Sequence, residues 1–297
     1  MPLRLLLLLA LSLPLHAAVD LRRGSVAVLA QSAAVQLQVP AAAAPVATGE
    51  ELPAYYGGVF NVRSTEPGEL FLRTSNGIDL YFRGPGFFGV ERFDKTYPAS
   101  SGIGIGEELQ SRLIMNLRQG SLVVDNQSLG EDAQIILETP FGRIYAPLAE
   151  WSIAIEFDRR SRIYDFTIVC AEGSLRLTDR LGENYVVFAG QRLAGAGTYM
   201  NPAVEIGEPT DRDEERFESF HALRGRLPTD DLSDGAFRSA MLDLPEQAES
   251  DAASRTSQFP NGAQGRPLII EYAPPPPLLT PFRGTLRPPS DFQADIF

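Results

Sequence analysis

Short apolar or alternating segments, separated by turn residues, recur from residue 55 to residue 197. Alternation with a period of two places successive side chains on opposite faces of a strand, and the period of an amphipathic helix is nearly missing from this stretch. The sequence therefore predicts an all-β domain of many short strands, either a β-sandwich or a solenoid-like domain. The predicted strands lie at residues 70–73, 78–82, 90–93, 112–117, 122–124, 135–138, 153–157, 166–170, 175–178 and 185–188.

Similar short sequences return within this pattern. "LRRGSVAV" at residues 21–28, "LRQGSLVV" at 117–124 and "CAEGSLRL" at 170–177 each place a Gly-Ser step before an apolar alternation. Residues 69–94 also align with residues 134–158, and both segments contain a Thr-x-x-Gly turn and a closing Phe-Asp. We interpret these echoes as repeated strand-turn units; the alternative is coincidence, since glycine and serine are common turn residues in any β-protein.

Glycine reaches backbone conformations that other residues adopt only with strain, so a repeated glycine before a strand suggests a turn that requires it. We predict that six glycines hold structural turns: Gly24, Gly77, Gly120, Gly142, Gly173 and Gly190.

The N-terminus has the three-part layout of a secretory signal peptide. Arg4 precedes an apolar run at residues 5–15, Pro14 lies near the end of the run, and Ala17 and Ala18 follow. The run is much shorter than the roughly 20 residues that span a bilayer, and no cysteine is present there for lipid attachment. The sequence predicts that residues 1–17 are removed and that the mature chain is a periplasmic or secreted protein that does not span a membrane.

After residue 197 the composition becomes acidic, and this part carries most of the net charge of −12. "TDRDEERFESFHALRGRL" has Thr210 as a candidate N-cap, acidic residues in its first turn, and Phe217, Phe220 and Leu223 on one face. It predicts a short amphipathic helix. Residues 233–244 predict a second helix.

The C-terminal tail contains four consecutive prolines at residues 274–277, which favour polyproline II and forbid a helix. Apolar residues flank this run, so we predict a mobile tail or one draped over the surface. Its candidate partner-binding residues are Leu268, Ile270, Pro274, Pro277, Leu279 and Phe282. The predicted organisation of the chain is a signal peptide (1–17), an N-terminal strand segment with an Ala/Pro linker (19–54), the all-β domain (55–197), an acidic helical segment (198–250) and the Pro-rich tail (251–297).

The residue inventory argues against several classes of function. A net charge of −12 and a pI near 4.7 disfavour nucleic-acid binding, which needs clustered cations. His221 is the one histidine that follows the signal peptide, so neither a metal cluster nor a Ser/His or Cys/His site can be assembled. Cys170 lies in an apolar segment and is predicted to be a buried structural residue. The sequence predicts a non-catalytic protein with no cofactor and no metal.

The order of five segments resembles the FecR domain. These segments are "LFLRTSNGIDLYFRGPG", "LQSRLIMNLRQGSLVV", "ILETPFGRIYA", "FTIVCAEGSLRL" and "YVVFAGQRLAGAG", and together they cover residues 55–197. The most specific pieces are "ETPFG", then "AEGSLRL", then "AGQ". The Gly-Thr step that the family usually places after its threonine-rich turn is absent, and Pro147, Leu148 and Ala149 stand there instead. That turn must be built differently.

The resemblance implies a function in the cell envelope. FecR-type proteins are sensors that couple an outer-membrane transporter to an alternative sigma factor, through a cytoplasmic helical anti-sigma domain, one membrane helix and an exported FecR domain. The signal peptide predicted here stands where the cytoplasmic domain and anchor would be, so direct sigma-factor regulation is not expected. The implied function is an exported interaction or structural module of the envelope, in sensing or signalling, with an envelope protein or a glycan as partner.

A different class of function stays open on the residues alone. A secreted β-sandwich could be a carbohydrate-binding module or a glycan-active protein, although no local pattern identifies a carboxylate pair for glycoside hydrolysis. Its binding platform would be Phe87, Phe88 and Trp151 if these aromatic side chains are exposed rather than part of the core.

Overall fold

The computed structural model of the chain describes residues 19–39, 54–98, 110–130, 132–198 and 201–227. The chain divides into two compact units, Met1–Ser254 and Arg255–Phe297, and every described residue belongs to the first. The predicted signal peptide, the predicted second helix and the Pro-rich tail lie outside the described residues. The strands are β1 (Val19–Arg23), β2 (Ser25–Gln31), β3 (Val35–Gln38), β4 (Ala54–Gly57), β5 (Phe60–Ser64), β6 (Glu69–Thr74), β7 (Asp79–Pro98), β8 (Gln110–Asp125), β9 (Gln134–Thr139), β10 (Gly142–Tyr145), β11 (Ala149–Asp158), β12 (Ile163–Asp179), β13 (Asn184–Phe188), β14 (Gln191–Thr198) and β15 (Asn201–Gly207). The helix is α1 (Asp211–Arg224).

All the strands belong to one 15-stranded sheet, in which the main order is β15-β14-β12-β10-β9-β8-β7-β6-β2-β4. The remaining strands branch from it: β1 and β5 pair with β7, β3 with β5, β11 with β8 and β12, and β13 with β12. Among the described strands, β8 and β9 form the one parallel pair. The prediction of an all-β fold with a short helix after it is confirmed.

Two parts of the sheet differ from the predicted organisation. β1 pairs with β7 from Arg23 opposite Asp94 to Val19 opposite Pro98, so the N-terminal segment belongs to the same sheet as the β domain. β15 lies in the segment that we predicted to be helical, and the sequence analysis predicted no strand there. It contains Pro202, which cannot donate to a ladder of hydrogen bonds.

Three pairs of predicted strands are single long strands in the structure. β7 covers the predicted strands 78–82 and 90–93, apart from residue 78. β8 covers 112–117 and 122–124, and β12 covers 166–170 and 175–178. Turn residues interrupt the alternation inside each of them, which is why the sequence predicted breaks. β7 and β8 pair with each other along both halves, and on the other side of each strand the two halves pair with different neighbours.

The long strands β8 and β12 change partners at the Gly-Ser steps. Residues 120–125 of β8 pair with β11, whereas residues 112–116 pair with β9. Residues 164–170 of β12 pair with β14, whereas residues 174–178 pair with β13. Gly120 and Gly173 therefore lie at corners inside strands rather than in reverse turns.

The backbone at these corners explains the glycines. Gly120 has a φ of 104° and Gly173 a φ of 80°, a conformation that L side chains adopt only with strain. At Gly173 a Cβ atom would lie 2.1 Å from the carbonyl oxygen of Leu148. The third Gly-Ser step lies between β1 and β2, where a Cβ on Gly24 would lie 2.3 Å from the ring of Phe93.

In both Thr-x-x-Gly turns the threonine hydroxyl accepts a hydrogen bond from the backbone, at Gly142 itself in one turn and at the residue after Gly77 in the other. The Thr74 hydroxyl accepts a hydrogen bond from the backbone N–H of Ile78 at 2.9 Å, and the Thr139 hydroxyl accepts one from the N–H of Gly142 at 3.1 Å. A hydroxyl that replaces a backbone acceptor stabilises a tight turn.

The main core holds most of the buried apolar side chains of both halves of the long strands, and Trp151 is fully buried in it. Trp151 Nε1 donates to Asn126 Oδ1 at 3.2 Å, and Asn126 Nδ2 donates to the carbonyl oxygens of Ala146 and Pro147 at 3.2 and 2.6 Å. This buried amide holds the loop where the FecR resemblance lacks its Gly-Thr step.

Candidate interaction surface

Helix α1 begins at a capping box. The carboxylate of Asp213 accepts hydrogen bonds from the backbone N–H and the hydroxyl of Thr210, at 2.9 and 2.7 Å. Asp213 also satisfies a first-turn position where the helix dipole favours negative charge. The N-cap predicted from the sequence is therefore the one that the structure uses.

The helix packs on a second apolar cluster, which is separate from the main core. Phe220 is fully buried and stacks on Phe71, with ring centroids 5.6 Å apart, and it contacts Tyr81 at 6.3 Å. Phe217 and Leu223, predicted on the same helix face, are half-buried against this cluster. The cluster closes one outer face of the sheet beneath the helix.

Ion pairs fix the C-terminal end of the helix to the sheet. Asp79 is 1% exposed, and it accepts from Arg73 Nε at 2.6 Å and from Nη2 of the same guanidinium at 2.8 Å. Arg224 Nε lies 3.0 Å from Asp79, and Arg224 Nη1 also contacts Asp125. A buried carboxylate needs such partners, because loss of one of them would leave an uncompensated charge.

Glu150 lies beside this network. Its Oε1 is 2.9 Å from His221 Nε2, an ion-pair separation without the alignment of a hydrogen bond. Burial raises the pKa of the Glu150 carboxyl above its usual range, and the nearby His221 opposes this shift in part. The pair joins a half-exposed histidine on the helix to a buried carboxyl on β11.

A groove of about 570 Å³ runs beside the N-terminal half of the helix. Its floor includes Ala194, Ala196 and Ala203, which leave space because they have short side chains. The arginines that line it already have acidic partners. Arg192 and Arg216 lie 3.1 and 2.8 Å from Asp213, and Arg212 donates to Glu156 at 3.0 Å. These charges serve the docking of the helix on the sheet.

Three of the exposed large apolar residues of the described region lie on or beside β13. Phe188 is 57% exposed and Val186 43%, and both point to the same outer face, while Val187 between them is buried. Leu181, in the turn before the strand, is 60% exposed. Arg176 on β12 lies opposite Val186 and stacks over the ring of Tyr145 at 5.0 Å. We call Tyr145, Arg176, Leu181, Val186 and Phe188 the β13 surface.

The sequence could not identify this surface. Alternation in "NYVVF" shows that residues 186 and 188 share a face, but it does not show which face meets the core. The predicted partner-binding residues are all in the tail, outside the described residues.

The remaining glycines of the turn prediction have varied surroundings. Gly77 and Gly190 lie in turns with φ angles of 87° and 75°. Gly142 begins β10, and a Cβ there would lie 2.3 Å from the carbonyl oxygen of Thr178.

The aromatic platform suggested for glycan binding is wrong for two of its three residues. Phe88 and Trp151 are fully buried in the main core. Phe87 is half-buried, and its ring lies 5.4 Å from the guanidinium of Arg118.

The described residues offer little for redox or metal chemistry. Cys170 is fully buried, and burial raises the pKa of its thiol to about 11. Within the described ranges no group of three or more histidine, cysteine or acidic side chains could hold a metal ion. In the same ranges no helix is long and apolar enough to cross a membrane.

No protein-family model and no curated protein sequence matches the chain. Among solved structures, the fold aligns with two crystal structures of a candidate anti-sigma factor from Parabacteroides distasonis. The TM-scores are 0.31 and 0.32, the sequence identities are 7% and 8%, and each alignment covers 48% of this chain. The chain spans little more than half the length of those proteins, 56% in one and 57% in the other.

Proposed function

We propose that this protein is an exported, non-catalytic interaction module of the cell envelope, with a FecR-like β domain that binds another envelope protein through the β13 surface. Export is supported by the N-terminal sequence, and the FecR-like assignment by the order of the "ETPFG", "AEGSLRL" and "AGQ" motifs. The observation that carries the binding proposal is the exposure of Val186 and Phe188 side by side on a sheet edge.

This combination of residues suits a protein interface. Arginine and the aromatic residues are enriched among the side chains that dominate binding energy, and apolar side chains at the centre of an interface release water when covered. Arg176 is already positioned by its stacking on Tyr145, so it loses little freedom when a partner binds.

The test is cross-linking of the mature chain in envelope preparations, followed by identification of the captured proteins. Phe188→Ser should abolish specific capture. Ile206→Ser is the matched control, because Ile206 is 48% exposed on β15, away from the β13 surface, and its loss should leave capture unchanged. Equal capture by the wild-type chain and Phe188→Ser, with unchanged melting temperatures, would reject the proposed surface.

A carbohydrate-binding module is the second candidate, and the stacked pair of Arg176 and Tyr145 favours it. The Tyr145 ring is half-buried and Arg176 is exposed; an aromatic ring can pack against a sugar while a planar guanidinium hydrogen-bonds to its hydroxyls. A glycan array probed with the wild-type chain and Arg176→Ala separates the two candidates. Binding to a defined glycan that is lost in Arg176→Ala would support the second.

A further inference from the structure

Strand β13 is an unpaired edge of the sheet. Among the described residues it pairs with β12 alone, so alternate N–H and C=O groups on its other side point away from the sheet. One of these groups, the N–H of Phe188, donates to Gln191 Oε1 at 3.0 Å, and a pairing strand would displace that side chain. Such an edge is a template for another strand, and proteins normally block it with proline, a charged side chain, a bulge or a covering element.

The edge strand β15, by comparison, contains residues that hinder pairing with a further strand. Within the described part of the chain β15 also pairs with a single strand, β14, but it contains Pro202 and Glu205. β13 reads Asn184, Tyr185, Val186, Val187 and Phe188, with no proline, no glycine and no charge. Tyrosine, valine and phenylalanine favour extended strands. The sequence of β13 therefore contains no residue type that would prevent pairing with another strand.

A second copy of β13 is a complementary neighbour. In an antiparallel pairing centred on Val186, each Val186 faces its counterpart and Phe188 faces Asn184 of the other copy. The outward-facing residues of β12 in these rows are Ser174, Arg176 and Thr178, so no carboxylate stands in them. Acidic side chains give the chain its net charge of −12 and would repel a second copy. They are absent from the β12 and β13 rows that meet.

The charge that these rows do contain is far enough apart to be tolerated. Two copies of Arg176 would be separated by three strand spacings of about 4.8 Å each, or about 14 Å. This exceeds the Debye length of about 8 Å at physiological salt, so their repulsion is largely screened.

We propose that the partner of β13 is β13 of a second copy of this chain, forming a two-fold symmetric dimer in which the sheet continues across the interface. This inference rests on the proposed function and names the partner of the same surface. Pairing of short strands buries less than the standard interface area of about 1,600 Å², so the dimer should be weak, with a dissociation constant of roughly tens to hundreds of micromolar.

Disulfide trapping tests the pairing and its register. In the mature chain carrying Val186→Cys, two introduced thiols face each other at a strand-pair distance, and mild oxidation should give a covalent dimer. Asn184→Cys is the matched control on the same strand and face: its two thiols would be about 14 Å apart and should not link. Cys170 does not interfere, because it is buried and its thiol has a raised pKa.

Sedimentation velocity tests the association without a cross-link. The wild-type chain should pass from monomer to dimer as its concentration rises, and Val186→Lys should raise the dissociation constant at least about tenfold. Ile206→Lys, with the same charge change on an exposed residue of the blocked edge β15, should leave it within about twofold. A monomer at all concentrations up to millimolar, or equal trapping of both cysteine variants, would overturn the proposal.

The outcome is separable from the proposed function. If Val186→Cys does not link and the chain stays monomeric, while Phe188→Ser still loses capture of a different envelope protein, the dimer is rejected and the proposed function stands. If Phe188→Ser does not lower capture, and Val186→Cys forms no covalent dimer in a chain that stays monomeric, both the dimer and the proposed function are rejected.

Discussion

Replacement of Gly173 by alanine tests whether the corner in β12 requires glycine. The residue has a φ of 80°, and alanine in this region costs about 1 to 2 kcal/mol. The new Cβ would also lie 2.1 Å from the carbonyl oxygen of Leu148 and 3.1 Å from the Cα of Ala149. These contacts are backbone atoms, which cannot turn aside, so overpacking adds about 1 to 3 kcal/mol. The expected loss in the free energy of unfolding is about 2 to 5 kcal/mol.

Gly190 provides the matched control. Its φ of 75° is nearly the same, but no atom lies within 4 Å of its missing Cβ. Gly190→Ala should therefore cost only the backbone strain of about 1 to 2 kcal/mol. The difference between the two variants measures the steric contact at the corner.

The measurement is urea-induced unfolding followed by tryptophan fluorescence. Trp151 is the single tryptophan of the chain and is fully buried, so its emission should shift to the red when the core opens. The melting temperature of Gly173→Ala should also fall, by about 2 to 4 °C for each kcal/mol in a domain of this size. Equal losses for Gly173→Ala and Gly190→Ala would refute the steric reasoning.

Three further predictions follow from buried groups. Burial holds the pKa of the Glu150 carboxyl above its unfolded value of 4.5, so the protonated form stabilises the folded protein. This contribution is complete below pH 4.5 and is lost as the pH rises through the folded pKa. Urea titrations should show the loss in the wild-type chain and not in Glu150→Gln. Cys170, with a pKa of about 11, should resist thiol reagents at pH 8 in the native state and react only as urea unfolds the protein, whereas rapid native labelling would show that it is accessible. Phe220→Ala should lower the free energy of unfolding by about 3 to 5 kcal/mol, and half-buried Phe217→Ala by less, as measured by urea unfolding; equal effects would contradict the packing of Phe220 between Phe71 and Tyr81.

The sequence predicted the fold class but not the β13 surface. Of the residues that the sequence singled out for binding, six lie in the tail, Phe88 and Trp151 are buried, and Phe87 is half-buried. In the sequence, Val186 and Phe188 look like the core-facing residues of any other strand until the partner strands are known. Their exposure depends on β12, which lies on one side of them, and on the lack of a strand on the other side within the described residues.

Local chemistry decided the class of structure. The period-two alternation specified strands, and Thr210 with Asp213 specified where helix α1 begins, because both signals depend only on neighbouring residues. The tertiary structure decided how these pieces join. Gly120 and Gly173 read as strand ends in the sequence, yet each strand continues through its glycine to meet a new partner. Hydrogen bonds to distant strands fix that continuation, and no local pattern encodes which strand will be there.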